Sequence, residues 1–524
     1  MTWRGCKGRF FLWVIAVVMA LVVSSCQTKV IHVPGTQCSV SLRMFTPPYQ
    51  DAFAGVSSLR FLLILTDGRQ IERVVDRTAT EFFIDAPASV GTIMKVQGLD
   101  TDGVVIASGQ SSPFDLVDGE TTQVDMLFSL KGEMAQLLGR LNHPRFGHTA
   151  SLLPDGRILI FGGAGKGDFE NPSDFAPAEI YDPRLQTSCG FGDFDCPVFT
   201  GADRRMGHSA TSTDFGGVLI FGGFDSQHHL VDQVLMFDAQ QGAFRQLTGF
   251  DSQKIKARAY HAAVTMQVED PGTAPYRQAI LISGGISDLE SGAVTDNALL
   301  FDTRLETFFA TDLKMMRPRS HHSMTTFGTE RRLVLVAGGK DENALVAQVE
   351  MFNGTSFDDI PPTGQGAKDF LTTPRTDHVA LEVNDGVLLV GGQDGLVSLD
   401  NPEFFVYSSS LGTGVFDLDI AASHAEHSTR SSPVAAVESS GDIFLAGGEF
   451  KNGFDTTLEK SAELLIINPG STDASFVEAP SLPEPMAHAA VVMLPGGELV
   501  FVGGLKQGQD GAESSDEVWC YNPW

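Results

Sequence analysis

The stretch RFGHTASLLPDGRILIFGG, at positions 145–163, contains residue types that enzymes use for acid–base and anion-binding chemistry. Arg145 lies three residues before His148, and the stretch ends in the glycine pair Gly162–Gly163. A histidine can act as a general base, an arginine can bind a carboxylate or phosphate, and a glycine-rich turn can cradle a phosphate. The alternative is that these residues belong to two strands of a scaffold.

The same residues recur along the chain, and this repetition decides between the two interpretations. Apolar runs end in a glycine pair every 53 to 62 residues, beginning at Gly162, Gly222, Gly284, Gly338, Gly391, Gly447 and Gly503. Such a period indicates a repeat architecture. Because no GKS or GKT sequence follows any pair, we interpret the glycines as points of close backbone packing and not as phosphate loops.

The pattern of each repeat predicts four short strands. The first follows the histidine, the second ends in the glycine pair, the third ends near a motif such as Tyr181-Asp182, and the fourth carries an aromatic residue such as Phe244. A single four-stranded sheet cannot bury both of its faces, so the units must pack around an axis.

This arrangement resembles the kelch repeat family, whose repeats form the blades of β-propellers. The resemblance runs from about Met134 to Trp524, although the tryptophan usual in the late strand is mostly phenylalanine here. It implies an all-β, seven-bladed kelch-type β-propeller over residues 131–524. The last repeat ends after its third strand, so we expect Met134 to Gly139 to complete the last blade and to leave no exposed sheet edge.

Residues 37–130 have a different pattern. Short runs such as CSVSLRMF and LRFLLILT alternate with turn residues, and no amphipathic helix of useful length is present. About seven short strands in about 100 residues predict a β-sandwich of immunoglobulin-like or fibronectin-like architecture. We expect this domain to act as a spacer, with ligand binding as the alternative.

The first 25 residues have the pattern of a secretory signal. Arg4, Lys7 and Arg9 precede an apolar run from Phe10 to Val23. This run is shorter than the roughly 20 residues that a membrane-spanning helix needs. Residues 1–25 are therefore predicted to direct export.

The end of this signal, Val23-Ser24-Ser25-Cys26, resembles the lipobox of bacterial lipoproteins. The resemblance implies cleavage before Cys26, lipid attachment at Cys26, and a lipid-anchored linker over residues 26–36. Gln27 is not the aspartate that usually retains such proteins at the inner membrane, so in a Gram-negative cell the outer membrane is favoured. The alternative is an ordinary signal or short anchor with an incidental cysteine.

The charge balance excludes two classes of partner. The chain has 36 lysines and arginines against 65 acidic residues, a formal net charge of −29. Nucleic-acid binding needs a basic surface, and adhesion to anionic headgroups needs positive charge. We therefore expect neither nucleic acid nor a charge-held membrane surface as a partner.

The cysteines suggest one disulfide. Cys189 and Cys196 enclose the short loop GFGDFD, which a disulfide could close in an oxidising compartment. Metal binding by this pair would need two further thiol or imidazole ligands nearby, so the disulfide is favoured. Whether Cys38 and Cys520, which lie in different predicted domains, also pair is open.

The arginines that precede the histidines are the candidate ligand-binding residues. They lie where the fourth strand of one blade leads into the first strand of the next, at Arg145, Arg205, Arg258, Arg319, Arg375 and Arg430. Up to six guanidinium groups could surround the mouth of that face and bind carboxylate or phosphate. The alternative is that each arginine pairs within its own or a neighbouring blade.

The histidines are expected to be structural. One per blade, they are spread around a ring and should not converge on a single metal ion, so hydrogen bonding or packing is favoured. The seventh repeat keeps a histidine, His488, and has Pro485 at the arginine position. No catalytic residue, metal site or cofactor is predicted.

Together these patterns predict a non-enzymatic, monomeric, exported lipoprotein that binds a protein, peptide or glycan on its propeller at the cell envelope. The alternative is a carbohydrate-active envelope enzyme, oxidase-like or mutarotase-like, with its site in the central mouth. A copper-radical oxidase resembling galactose oxidase would need two tyrosines, two histidines and a tyrosine-linked cysteine. This chain has six tyrosines, but Cys189 and Cys196 are better assigned to a disulfide with each other. No GxSxG or SxxK motif is present.

Overall fold

The structure is a computed structural model, and it describes residues 26–33, 38–84, 86–167, 172–190, 204–251, 254–270, 276–360, 370–384, 386–408, 413–417, 429–438, 440–467, 474–509 and 511–523. These residues form an all-β structure with no α-helix and with one short 3-10 turn at Thr329–Arg331. In the described part of the chain, no helix has the length and apolar character needed to cross a membrane. The predicted signal, residues 1–25, lies outside the described residues.

The N-terminal part of the chain forms two sheets around one core. Its strands are β1 (Cys26–Val33), β2 (Cys38–Phe45), β3 (Ser58–Ile64), β4 (Gln70–Asp76), β5 (Glu81–Phe83), β6 (Ser89–Leu99), β7 (Val105–Gln110), β8 (Phe114–Leu116), β9 (Thr121–Leu127) and β10 (Ser129–Leu130). One sheet has the order β5-β1-β2-β9, and the other has the order β10-β7-β6-β3-β4 with β8 beside β6. Leu42 of the first sheet and Phe61 of the second are both fully buried in the same apolar cluster. The two sheets are therefore packed face to face.

The prediction of a linker over residues 26–36 is wrong for its first eight residues. Cys26–Val33 is strand β1, which pairs antiparallel with β2 and parallel with β5. Ile31 is fully buried in the core, and the ammonium group of Lys29 donates to the carbonyls of Arg77 and Ala79. Because Ile31 is buried in the core and Lys29 bonds to the turn between β4 and β5, this segment is part of the sandwich.

The remaining strands begin at residue 134. The first group comprises β11 (Met134–Gln136), β12 (Thr149–Leu152), β13 (Ile158–Phe161), β14 (Ala164–Lys166), β15 (Ser173–Phe175), β16 (Glu179–Asp182), β17 (Thr187–Gly190), β18 (Met206–Ser212), β19 (Gly217–Phe224), β20 (Leu235–Asp238), β21 (Ala243–Gln246), β22 (Ala262–Glu269), β23 (Tyr276–Ser283), β24 (Ile286–Asp288), β25 (Ala293–Val294), β26 (Asn297–Asp302) and β27 (Thr307–Lys314). The second group comprises β28 (Ser323–Phe327), β29 (Leu333–Ala337), β30 (Glu350–Phe352), β31 (Phe357–Asp359), β32 (Thr376–Val383), β33 (Gly386–Gln393), β34 (Glu403–Ser408), β35 (Thr413–Asp417), β36 (Val434–Val437), β37 (Ile443–Ala446), β38 (Glu449–Asn452), β39 (Asp455–Leu458), β40 (Ala462–Ile467), β41 (Ala474–Ala479), β42 (Met486–Ala487), β43 (Ala490–Met493), β44 (Leu499–Val502), β45 (Leu505–Gln507), β46 (Ala512–Ser514) and β47 (Val518–Tyr521).

Most of these strands form four-stranded antiparallel sheets, one per repeat. In chain order we number them sheets 1 to 7: β12-β13-β16-β17, β18-β19-β20-β21, β22-β23-β26-β27, β28-β29-β30-β31, β32-β33-β34-β35, β36-β37-β40-β41 and β43-β44-β47-β11. As predicted, Met134–Gln136 supplies the fourth strand of sheet 7 by pairing with β47. The insertions after several glycine pairs form small sheets of their own, β14-β15, β24-β25, β38-β39 and β42-β45-β46.

The glycine pairs lie where neighbouring sheets approach each other most closely. A side chain on Gly162 would lie 2.2 Å from the carbonyl oxygen of Arg205 and 2.6 Å from the ring of His208, both in sheet 2. Gly163, at a φ of 86°, donates its amide to the Arg205 carbonyl at 3.0 Å. Only glycine fits such a position, so the sequence interpretation of these pairs as packing residues is confirmed.

The same hydrogen bond occurs between every sheet and its successor. The amides of Gly163, Gly223, Gly285, Gly339 and Gly392 donate to the carbonyls of the repeated arginine in the next sheet, and Gly448 donates to Met486, which replaces that arginine in sheet 7. Gly504 of sheet 7 donates to Arg145 at the start of sheet 1, at 2.8 Å. The first strands of successive sheets are also in contact, including β43 with β12. The last sheet is therefore bonded to the first.

The two ends of these sheets have different surroundings. We call the end where the first strands begin the mouth side, and the end with the turns between first and second strands the far side. Gln110 of the sandwich donates to the Pro495 carbonyl at 2.8 Å, and Ser112 donates to the Asp155 carbonyl at 2.9 Å. Both acceptors lie in far-side turns, of sheets 7 and 1. The sandwich therefore packs against the far side.

Glu498, in the far-side turn of sheet 7, predicts a pH dependence of stability. Burial raises its pKa from 4.5 to about 7, although Lys131 and Lys95 act in the opposite direction. Because the folded state holds this proton more tightly than the unfolded state, the free energy of unfolding falls as the pH rises from about 4.5 to about 7. We expect Glu498→Gln to raise the free energy of unfolding near pH 8 by on the order of 3 kcal/mol, measured by urea denaturation.

The matched control is Glu290→Gln, which changes an exposed glutamate in a loop. This variant should retain the fall in stability between about pH 4.5 and 7. An unchanged pH dependence in Glu498→Gln would contradict the assignment.

Candidate functional site

The six arginines predicted to contact a ligand are inside the protein. Each is between 0 and 2% exposed: Arg145, Arg205, Arg258, Arg319, Arg375 and Arg430. The prediction of an exposed arginine face is therefore wrong, and the alternative of pairing within a sheet agrees with the contacts. A guanidinium group buried in this way must have partners for its charge and its donors.

Arg319 illustrates these contacts. Its Nη1 donates to the carbonyls of Gly338 and Gln348, both at 3.0 Å, and its Nη2 donates to Oε1 of Glu350 at 2.6 Å. Glu350 is itself fully buried and also accepts the backbone amides of Met316 and Arg317. The arginine thus connects the second and third strands of its own sheet to the loop that enters the sheet.

The partner on the third strand varies among the repeats. It is a glutamate for Arg145, Arg375 and Arg430, namely Glu179, Glu403 and Glu463. Arg258 instead donates to the side-chain oxygen of Asn297 at 2.6 Å, and burial lowers the pKa of Arg258 to about 10.

The repeated histidines are structural. His208, His261, His322 and His378 each place Nε2 between 2.8 and 3.0 Å from a serine or threonine hydroxyl of the preceding sheet, on Thr149, Ser209, Ser283 and Ser323. Burial lowers the pKa to about 3 for His148, His208, His261 and His378. These rings are neutral at physiological pH, and they connect neighbouring sheets.

His488 does not occupy the position that the sequence comparison assigned to it. A side chain on Gly504 would meet Ala489 just as one on Gly163 would meet His148, so Ala489 is the counterpart of His148. His488 is therefore the counterpart of Gly147, one residue earlier. The sequence alignment failed here because it matched residue type, whereas the position is defined by packing against the glycine pair.

This shift identifies a set of seven equivalent residues, which we call the mouth residues. They are Gly147, Gly207, Tyr260, His321, Asp377, Ser432 and His488. All have φ between 47° and 68°, and all are half-buried. Left-handed backbone is unfavourable for residues other than glycine, and such strain clusters at functional sites. Six of the seven, all except Asp377, line a cavity of about 360 Å³ on the mouth side.

Backbone hydrogen bonds join neighbouring mouth residues. The amide of Tyr260 donates to the Gly207 carbonyl at 2.8 Å, and that of His321 donates to the Tyr260 carbonyl at 3.0 Å. The amide of Ser432 donates to the Asp377 carbonyl at 2.8 Å. The left-handed conformation is thus held by the main chain, which leaves the side chains free to differ from sheet to sheet.

The mouth side chains form one aromatic and polar group. The rings of Tyr260 and His321 are stacked, with centroids 4.4 Å apart and planes 18° apart. Nε2 of His488 lies 3.1 Å from Oε1 of Glu449, at the start of strand β38. Asp377 accepts a hydrogen bond of 2.8 Å from the side-chain amide of Gln393.

The surroundings of this group shift the pKa values of three of its side chains, those of Asp377, His321 and Tyr260. Burial alone would raise the pKa of Asp377, but the attraction of His321, the Gln393 amide and His488 lowers it below its ordinary value. Burial lowers the pKa of His321 to about 4, against the attraction of Asp377. Burial and the negative charge of Asp377 raise the pKa of Tyr260. At neutral pH the mouth therefore presents a carboxylate beside a neutral imidazole and a neutral phenol.

The mouth residues can be recognised in the sequence only by their position in the repeat, because their residue type varies. Each directly precedes the residue that packs on the glycine pair, and no single residue type is common to all seven positions. Repetition made the flanking arginine and histidine conspicuous, while the variable residue between them looked like a spacer.

The structure also places two of the cysteines considered in the sequence analysis, Cys189 and Cys520. Cys189 is disulfide-bonded, while Cys196, its predicted partner, lies outside the described residues. Cys520 is a buried free thiol, so it does not pair with Cys38. Within the described ranges, no group of three or more histidine, cysteine, aspartate or glutamate side chains could hold a metal ion.

The chain is similar to a known sequence over a short stretch and to a solved structure over a longer one. No protein-family model matches the chain. An F-box/kelch-repeat protein of Arabidopsis thaliana is 34% identical over 103 residues, which are 19% of this chain. The match spans about a fifth of that relative, 21% of its length.

A solved structure is similar over a larger part of the chain. It is a fungal alcohol oxidase of the AA5 family in complex with copper, with a TM-score of 0.51 and 14% sequence identity. The similarity covers 75% of this chain and 76% of the oxidase. At this level of identity the likeness concerns the fold.

The buried ion pairs predict a large loss of stability when one partner is neutralised. Glu350→Gln should lower the free energy of unfolding by about 3 kcal/mol, because Arg319 would remain charged and buried without a carboxylate. Chemical denaturation measures this loss. The control is Asp359→Asn, which breaks the exposed pair with Arg317 and should cost less than about 1 kcal/mol. Equal effects of the two changes would contradict the role of Glu350.

The strained mouth backbone predicts a gain of stability on substitution by glycine. Ser432 has a φ of 47°, so Ser432→Gly should raise the free energy of unfolding by roughly 0.5–1 kcal/mol. The control is Ser475→Gly in the extended strand β41, which should destabilise by a similar amount because glycine is unfavourable in a strand. A loss of stability in Ser432→Gly would show that the residue is not strained.

Proposed function

We propose that this chain is an exported, lipid-anchored binding protein whose repeats form a seven-bladed kelch-type β-propeller, with its ligand in the central mouth. The ligand would be a protein, peptide or glycan. Support for the propeller comes from the seven four-stranded sheets, from the hydrogen bond between the last sheet and the first, and from the similarity to a kelch-repeat protein. The N-terminal domain would be an immunoglobulin-like or fibronectin-like spacer, and the chain would act as a monomer.

The orientation of the domains supports a binding platform. The sandwich packs on the far side through Gln110 and Ser112, and Cys26 begins its first strand. A lipid on Cys26, at the outer membrane as the lipobox implies, would therefore be separated from the repeats by the sandwich. The mouth would face away from the domain that carries the lipid, which is the arrangement that a receptor surface needs.

The single observation that carries the proposal is the set of mouth residues. Seven positions share one backbone conformation, yet their residue types differ, and six of them, which are glycine, tyrosine, histidine and serine residues, line one cavity. A fixed scaffold with varied, convergent polar and aromatic groups is typical of ligand sites. The cavity of about 360 Å³ suits one protruding side chain or one sugar unit.

The second candidate is the carbohydrate-active enzyme, which the likeness to the AA5 alcohol oxidase favours. Among the described residues, no group of three or more histidine, cysteine, aspartate or glutamate side chains could hold a metal ion. Acid–base chemistry could use Asp377 and His321. A general acid or base works best with a pKa near the working pH, and the pKa of about 4 for His321 is far from neutrality. Binding is therefore the better supported function.

The test compares the full chain with two mouth variants, Tyr260→Ala and Asp377→Asn. Immobilised wild-type protein is exposed to envelope protein extract and to a glycan array, and retained partners are identified and titrated. We expect each variant to weaken the binding of the retained partner by at least about tenfold, because a few central residues dominate most interfaces.

The control is Phe215→Ala, which removes an exposed aromatic side chain (64% exposed) on the far side of sheet 2. This variant should bind as the wild type does. Equal retention by the wild type and both mouth variants would contradict the proposal. Turnover of a retained glycan by the wild type, lost in Asp377→Asn, would favour the enzyme instead.

A further inference from the structure

A second cavity lies on the far side of the repeats, away from the mouth. It has a volume of about 700 Å³, and it extends from sheet 3 past the turns of sheet 4 to sheet 5. The sandwich contacts described above involve sheets 1 and 7. We call this cavity the far-side cleft. Its size lies within the range typical of small-molecule sites.

The aromatic walls of the far-side cleft are held in place from outside it. Phe309 of strand β27 is 40% exposed, and the guanidinium group of Arg277 lies 4.1 Å from its ring centroid. Tyr407 of strand β34 packs edge-on against the buried ring of Phe327, with centroids 5.7 Å apart. A partly exposed ring in a fixed orientation offers a flat apolar surface that is ready to receive a ligand.

The cleft also carries polar side chains, among them one carboxylate and one guanidinium. In the part of the chain that the structure describes, the side chains of Gln267 and Glu269 have no hydrogen-bond partner. Glu269 is the one carboxylate in the lining and Arg332 the one guanidinium. Arg332 lies over the ring of Tyr276 at 4.6 Å, and it donates through Nη1 to the Tyr276 hydroxyl and pairs through Nη2 with Glu330 at 2.9 Å. A carboxylate, an amide and a guanidinium together can accept from and donate to hydroxyl groups.

We propose that the far-side cleft binds a neutral oligosaccharide of hexose units. A sugar ring presents C–H groups on its faces, which pack on aromatic rings, and hydroxyl groups on its rim, which bond to side chains such as Gln267, Glu269 and Arg332. An anionic chain is disfavoured by the net charge of −29 and by Glu269 in the lining. The site is independent of the mouth, which opens at the other end of the sheets.

The experiment is calorimetric titration of the full chain with cellotriose, maltotriose and N,N′,N″-triacetylchitotriose. We expect at least one of the three to bind with a dissociation constant of about 1 mM or lower. Phe309→Ala and Glu269→Gln should each weaken that binding by at least about tenfold. Glu269→Gln changes an exposed side chain, so it tests the site even if Phe309→Ala proves poorly folded.

Two controls separate this site from the mouth. Phe454→Ala removes a fully exposed aromatic ring (106% relative exposure) from the tip of the β38–β39 hairpin on the mouth side, and Tyr260→Ala changes the mouth itself. Phe454→Ala should bind the trisaccharide as the wild type does, whereas a loss of binding in Tyr260→Ala would assign the sugar to the mouth. The proposal is overturned if none of the three sugars binds up to about 10 mM, if Glu269→Gln leaves the affinity unchanged, or if Tyr260→Ala abolishes binding.

Discussion

The structure depends on one contact that is repeated between every pair of neighbouring sheets. The amide of the second glycine in each pair donates to the carbonyl of the arginine, or of Met486, in the next sheet. The side chain of that same arginine then bonds to the first glycine carbonyl and to the third strand of its own sheet, as Arg319 does with Gly338 and Glu350. Each arginine therefore connects two sheets, through its main chain on one side and its side chain on the other. Because these groups are buried, leaving any one of them unpaired would cost the full penalty of removing it from water.

This contact also explains why the mouth can vary. The arginine and the histidine three residues later are both fixed against a glycine pair, so the short segment between them must turn sharply. The turn places the residue before the histidine in the left-handed region and directs it towards its neighbours around the cavity. The strain of that conformation is offset by the repeated contacts on either side. The packing thus specifies the backbone of the mouth and leaves its chemistry open.

A fold of this kind does not by itself decide a function. The chain is similar over a short stretch to a kelch-repeat protein and over three quarters of its length, at low identity, to an AA5 alcohol oxidase. The function depends on the local chemistry of a site. Tyr260 stacks on His321 beside the carboxylate of Asp377, and the far-side cleft is lined by a different set of aromatic and polar residues.

The sequence by itself determined the repeat, its four-strand pattern, the packing role of the glycines, and the pairing of Met134–Gln136 with the last sheet. These follow from local periodicity and from the residue types that a turn or a close approach requires. Only the tertiary structure decided that the six arginines are buried, that Cys26–Val33 is a strand, and that His488 belongs with the mouth residues. The reason is physical: burial, partner choice and register depend on what a neighbouring sheet places against a residue. A repeated residue type shows where packing between sheets requires a particular side chain. The mouth residues have a fixed backbone conformation, but their side chains can vary.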